Sequence, residues 1–125
     1  MTQAEPITVL VVDDARVVRD GLKMLFNLQQ DLRIVGEAED GEQAVRLAAE
    51  LSPRVVVMDV NMPDMNGFAA THEIRRKAPQ SAVVLLSLND SAIYRTFAHE
   101  VGARAFVPKT TTTDPLLDAV RNAAH

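Results

Sequence analysis

Short, β-branched apolar runs alternate along this chain with longer stretches whose apolar residues recur every three or four positions. The first run, Ile7 to Val12 (ITVLVV), predicts a strand buried on both faces. From Arg16 to Leu28 the period changes. Val17, Val18, Gly21, Leu22, Leu25 and Leu28 fall on one side at about 100° per residue, the pattern of an amphipathic helix. Arg33 to Ala38 predicts a second strand, and Ala44, Val45, Leu47, Ala48 and Leu51 supply the apolar positions of a second helix. The third strand, Arg54 to Met58 (RVVVM), ends in Asp59, and the compact stretch VNMPDMNG fills Val60 to Gly67 before a helix running to about Ala78. Ala82 to Leu86 is a fourth strand ending in Ser87, followed by a helix with Ile93, Tyr94, Phe97, Ala98 and Val101 in one apolar stripe and His99 on the solvent side. Arg104 to Val107 is the fifth strand, and a last helix ends near Ala124.

The residues between these elements agree with the assignment. Ser52-Pro53 stops the second helix, because the residue before a proline is driven out of the α region, and Pro79 ends the third. Asp90 or Ser91 caps the fourth helix and Gly102 closes it, while Thr112 is read as the N-cap of the last helix with Pro115 in its first turn. Strands alternating with helices predict an α/β fold: five parallel strands joined by right-handed crossovers, with helices on both faces of a doubly wound sheet. The functional crevice of such a sheet lies outside the carboxyl ends of its strands.

With 125 residues the chain is expected to form one domain. Its 17 acidic and 13 basic residues give a formal net charge of −4 with the basic residues scattered, so no field for nucleic acid or an anionic membrane is expected. Zero cysteines exclude disulfides, thiolate nucleophiles and sulfur-ligated metals. The apolar runs fall far short of the roughly 20 residues that span a bilayer, and the opening MTQAEP is unlike a signal peptide, so a cytoplasmic location is expected.

The predicted strand ends carry the chemistry. Asp13 and Asp14 follow the first strand, Asp59 the third and Ser87 the fourth, while Lys109 lies two residues beyond the fifth. Three carboxylates at one edge repel one another unless a cation joins them, and oxygen ligands without His or Cys favour Mg²⁺, or Mn²⁺ in its place. Such a site is completed by waters and a phosphate oxygen. Lys109 offers that phosphate a point charge, the Ser87 hydroxyl offers it a hydrogen bond, and an Asp can itself carry the phosphoryl group. A DD pair alone is explained equally well as a turn or a helix cap; the five positions together are not.

VLVVDD at Val9 to Asp14, VVVMDVNMPDMNG at Val55 to Gly67, LLS at Leu85 to Ser87 and GARAFVPK at Gly102 to Lys109 closely resemble the receiver domain of two-component response regulators. The likeness spans residues 1–125 as one receiver domain, and GARAFVPKT is most similar to the subgroup whose receivers precede a helix-turn-helix DNA-binding domain. The resemblance implies a flavodoxin-like (βα)5 fold with strand order 2-1-3-4-5. It places the phosphoacceptor on Asp59 and the direct Mg²⁺ carboxylate on Asp14, with Asp13 acting through water and the Asn61 backbone carbonyl completing the ligands. It also places the phosphate-contacting hydroxyl on Ser87, the lysine on Lys109 and the aromatic switch residue on Phe106. Three positions depart from the common pattern. At Ser87 threonine is the usual alternative, and serine retains the hydroxyl. Leu88 stands where a small residue is usual, beside the approach to the phosphorylation site. Thr110 follows the lysine where a proline in a cis peptide is common, so a trans Lys109-Thr110 bond is expected.

The implied function is a phosphorylation switch rather than a classical enzyme. It takes a phosphoryl group from a sensor histidine kinase with Mg²⁺, hydrolyses its own aspartyl phosphate, and reshapes the surface of the fourth helix, fifth strand and fifth helix for an output domain or a second receiver. Transcription would then be regulated through a domain outside this chain, with no direct contact of these residues with nucleic acid or membrane. Competing readings are a stand-alone receiver, a pseudo-receiver that only binds a partner, and a haloacid-dehalogenase-type phosphatase. The last expects an acid two residues after its nucleophile, where Asn61 stands. A nucleotide-binding domain is disfavoured because no glycine-rich phosphate loop follows the first strand.

Overall fold

A computed structural model describes residues 5–109 and 113–125. Five strands and five helices alternate: β1 (Ile7–Val12), α1 (Arg16–Asn27), β2 (Leu32–Ala38), α2 (Gly41–Leu51), β3 (Val55–Asp59), α3 (Gly67–Lys77), β4 (Ala82–Ser87), α4 (Ala92–Glu100), β5 (Ala105–Pro108) and α5 (Thr113–Ala123). The strands form one parallel sheet in the order β2-β1-β3-β4-β5, as the resemblance implies. The N-cap expected of Thr112 and the Lys109-Thr110 bond lie outside the described residues.

The pleat of the central strands divides the interior into two cores. Val9, Val11, Val55, Val57, Val84 and Leu86 point to one face, where they meet Phe26 of α1 and Leu117 and Val120 of α5. Leu10, Val12, Val56, Met58, Val83 and Leu85 point to the other, against Ala44 and Ala48 of α2, Ala70 and Ile74 of α3 and Ala98 of α4. Small residues on α2 and α3 let those helices lie close to a sheet whose own side chains are large.

Local chemistry fixes the helix ends. Asp40, Asn66 and Ser91 cap α2, α3 and α4 by accepting the N–H groups of Gln43, Ala69 and Tyr94. Ser52, ahead of Pro53, takes the left-handed conformation at φ 48°. Gly102 closes α4 at φ 92°; its N–H bonds the His99 carbonyl while that of Ala103 bonds the Ala98 carbonyl, the two bonds of a Schellman motif.

Two helices present a different face from the one their periodicity predicts. In α1 the inward residues are Arg19, Leu22, Leu25 and Phe26, whereas Val17 is 84% exposed and Leu28 76%. Phe26, the largest side chain of the helix, is wholly buried and turns the helix toward itself. In α4 only Ala98 is buried. Tyr94 and Val101 are half-buried, while Ile93 and Phe97 are exposed, with Phe97 resting edge-on against Phe68 of α3 at 5.8 Å. His99 faces solvent as expected. Among the described residues no helix is long and apolar enough to cross a membrane.

Candidate active site

The ends of β1, β3, β4 and β5 meet at the carboxyl edge of the sheet. Asp13 and Asp14 directly follow β1, and Asp59 is the last residue of β3, so pairing of β1 with β3 brings their carboxylates together. Asp13, Asp14 and Asp59 each offer an oxygen within 4.8 Å of the others. Asp13 and Asp59 are buried and Asp14 is exposed, so one carboxylate of the group opens to solvent.

Lys109 enters from the other side. The strand β5 extends through Pro108, so Lys109 follows it immediately rather than two residues later, and its N–H bonds the Ser87 carbonyl at 2.8 Å. Its Nζ lies 3.1 Å from Asp13 Oδ2 and 3.3 Å from Asp59 Oδ1. Burial works to lower the Lys109 pKa, but the hydrogen bond to Asp13 and the charge of Asp59 outweigh it and raise the pKa. Asp59 is raised too, first by burial and further by the charge of Asp13, against the stabilising Lys109 ammonium and the Asn61 N–H. Three carboxylates and one ammonium leave two negative charges at the edge, in an all-oxygen donor set. That composition fits a divalent cation with oxygen preference.

The Asp59 backbone is fixed by its neighbours. The Val60 N–H bonds the Leu86 carbonyl at 2.9 Å, and the Gly67 N–H bonds the Val60 carbonyl at 2.7 Å. A Cβ on Gly67 would sit 2.5 Å from the Asp59 carbonyl oxygen, so the N-terminus of α3 closes on β3 only with glycine there.

Ser87 is fully buried at the end of β4. Its hydroxyl oxygen accepts the Asn89 N–H at 3.0 Å, Asn89 Oδ1 accepts the Ser91 N–H at 2.9 Å, and Ser91 Oγ accepts the Tyr94 N–H at 3.2 Å. A continuous run of such bonds therefore joins Ser87 to the first turn of α4. Leu88, between them, is 71% exposed. Phe106 of β5 is half-buried, and the Arg95 guanidinium carbon stands 5.2 Å from the centre of its ring. Asn61 lies exposed in the β3–α3 connection.

Sequence reasoning passed over Arg19, Asn66 and the tight approach of Gly67. Arg19 is legible in retrospect, because it shares a helix face with Leu22 and Phe26 at spacings of three and seven. A charged residue in phase with an apolar stripe needs a buried partner.

A profile of the response regulator receiver domain matches residues 9–121. The transcriptional regulatory protein DegU of Brevibacillus brevis is 34% identical over 119 residues, covering 95% of this chain and 50% of DegU. The nitrate/nitrite response regulator NarL of Escherichia coli K12 is 35% identical over 124 residues, covering 99% of this chain and 57% of NarL. The chain thus spans about half the length of the curated relatives it matches. Among solved structures, the signal receiver domain of the NarL response regulator from Mycobacterium tuberculosis superposes with a TM-score of 0.92 at 30% identity, over 97% of this chain and 98% of that one.

Proposed function

The chain belongs to the response regulator receiver domain family, and on that premise we propose that Asp59 accepts a phosphoryl group from the phosphohistidine of a sensor histidine kinase. Receiver domains of this family carry intrinsic phosphotransfer and autodephosphorylation activity and are not classical enzymes. The observation that carries the assignment to Asp59 is its place: a buried carboxylate at the end of the central strand, 3.3 Å from the Lys109 ammonium and grouped with Asp13 and Asp14.

In the proposed step an Asp59 carboxylate oxygen attacks phosphorus, the new O–P bond forms as the donor's N–P bond breaks, and the released imidazole nitrogen takes up a proton. Lys109 holds the carboxylate charged against its burial and then faces the phosphoryl oxygens. Ser87, one pairing position beyond Leu86 and Asp59, donates its hydroxyl to another of those oxygens. Asp13, through water, Asp14, Asp59 and the Asn61 carbonyl would hold Mg²⁺, which supplies charge neutralisation for the transferring group. Leu88, next in sequence to Ser87, is exposed and offers a protein donor an apolar contact beside that hydroxyl.

One receiver domain occupying the chain, residence in the cytoplasm, and an output domain of helix-turn-helix type outside it complete the proposal. The change at Ser87 and Phe106 would be read on the face of α4, β5 and α5. Incubation of wild type and Asp59→Asn with acetyl phosphate and Mg²⁺, followed by intact mass, tests the central assignment. One added phosphate on wild type and none on the variant is expected; equal incorporation overturns it.

A further inference from the structure

Arg19 is a charged side chain that the phosphorylation chemistry leaves without a task, and it is buried at the back of the site. Its Nη1 donates to the Asp13 backbone carbonyl at 2.7 Å, and its Nε donates to Glu37 Oε1 at 2.9 Å near the end of β2. The Lys23 ammonium shares the same Glu37 carboxylate. Asp13 is held on every polar group it has. Its N–H bonds the Ala38 carbonyl, its carbonyl receives Arg19, its Oδ1 receives the Ala15 N–H at 2.9 Å and its Oδ2 receives Lys109.

We propose that Arg19 is a positioning residue for the cation site: by bridging the Asp13 carbonyl to Glu37 it sets the turn that aims the Asp13 and Asp14 carboxylates at Asp59. The inference rests on the proposed cation site and adds to it a residue that touches neither cation nor phosphate. The planar guanidinium suits the task because two of its donors, at a fixed angle, reach two acceptors on different elements at once. A lysine could satisfy one of them. The turn from Asp13 to Ala15 leads straight into α1, and among the described residues no other α1 side chain bonds the peptide between the two aspartates.

The sign of the effect separates positioning from electrostatics. Arg19→Met removes a positive charge close to a cation site, so Coulomb's law alone makes Mg²⁺ bind more tightly. Loss of a group that orients metal ligands typically weakens binding about 10- to 100-fold. Mg²⁺ affinity is measured on the unphosphorylated protein from amide shifts of Asp14 and Asn61 in a titration, with unfolding in denaturant recorded for every variant. Arg19→Met is expected to weaken Mg²⁺ binding about tenfold or more, whereas Lys23→Met, which removes a charge from the same Glu37 pair, leaves it unchanged or tighter. Phe26→Leu, on the same helix face, reports the effect of a loosened core. Unchanged or tighter binding by Arg19→Met, or an equal weakening by Phe26→Leu at matched stability, overturns the inference while leaving the cation site in place. A wild-type protein whose spectrum ignores Mg²⁺ removes the cation site and the inference with it. Should Arg19→Met not fold, Arg19→Lys carries the same test, because it keeps the charge and loses the fork: weaker binding supports positioning and wild-type binding refutes it.

Discussion

Asp59 carries its charge in a place that resists charge. Burial, and then the charge of Asp13, raise its carboxyl pKa from the ordinary value in spite of Lys109. The native state therefore binds the Asp59 proton more tightly than the unfolded chain does. Stability from this group is fully present below the unfolded pKa of about 4 and is lost as pH rises through the folded value. Asp59→Asn removes that loss, so in metal-free buffer the variant is expected to melt above wild type at neutral pH, with the gap closing as the pH is lowered toward 4. Thermal unfolding at several pH values checks this; a gap independent of pH would assign the effect to packing. At Leu88 the proposed role is control of access. A buried leucine trimmed to alanine costs about 2–5 kcal/mol, but a side chain 71% exposed should cost about 0.5 kcal/mol or less. Leu88→Ala is expected to speed phosphorylation from acetyl phosphate and to shorten the phosphoprotein lifetime, since both need in-line approach to phosphorus. Rates equal to wild type, with a large stability loss, would make Leu88 a packing residue.

Two glycines on two helices make opposite predictions at the level of the element. Gly67 opens α3 against backbone that cannot give way, with the Asp59 carbonyl oxygen 2.5 Å and the Val60 Cα 2.8 Å from a built Cβ. Gly21 lies in α1 with nothing within 4 Å. Gly67→Ala should push α3 off β3 at a cost of about 1–3 kcal/mol and impair phosphorylation of Asp59, whereas Gly21→Ala should stabilise by up to about 1 kcal/mol through helix propensity alone. Denaturant unfolding of the two variants decides both. The glycine of VNMPDMNG was visible in the sequence, but the backbone it meets was not, because that contact crosses a turn whose course residue types do not specify. Periodicity likewise located α1 and α4 without fixing their orientation. Val17, Gly21 and Leu28 fit an apolar arc as well as Leu22 and Phe26 do, and only burial of the Phe26 ring and pairing of Arg19 decide between them. The strands were more legible, since a run such as VVVM has no exposed face to choose.

For the molecule as a whole, topology turns scattered sequence positions into a site. Asp13 and Lys109, 96 residues apart, meet because parallel pairing aligns every strand's carboxyl end along one edge. Alternation of elements along the chain was sufficient to foresee that convergence, and the order of strands came from family likeness. The remaining question at this scale is how far a phosphate at Asp59 is felt. Amide shifts with and without beryllofluoride in Mg²⁺ should change at Tyr94, Phe106, Leu116 and Val120; changes confined to the phosphate site would refute transmission to the α4, β5 and α5 face. The bonds from Ser87 to Tyr94 add a way of timing that transmission. A hydroxyl that swings toward a phosphate takes its oxygen away from the Asn89 amide, so that proton loses its shelter from solvent. Its exchange with deuterium should then quicken on addition of beryllofluoride in the wild type and already be fast in Ser87→Ala, which makes one backbone proton a clock for the state of the switch.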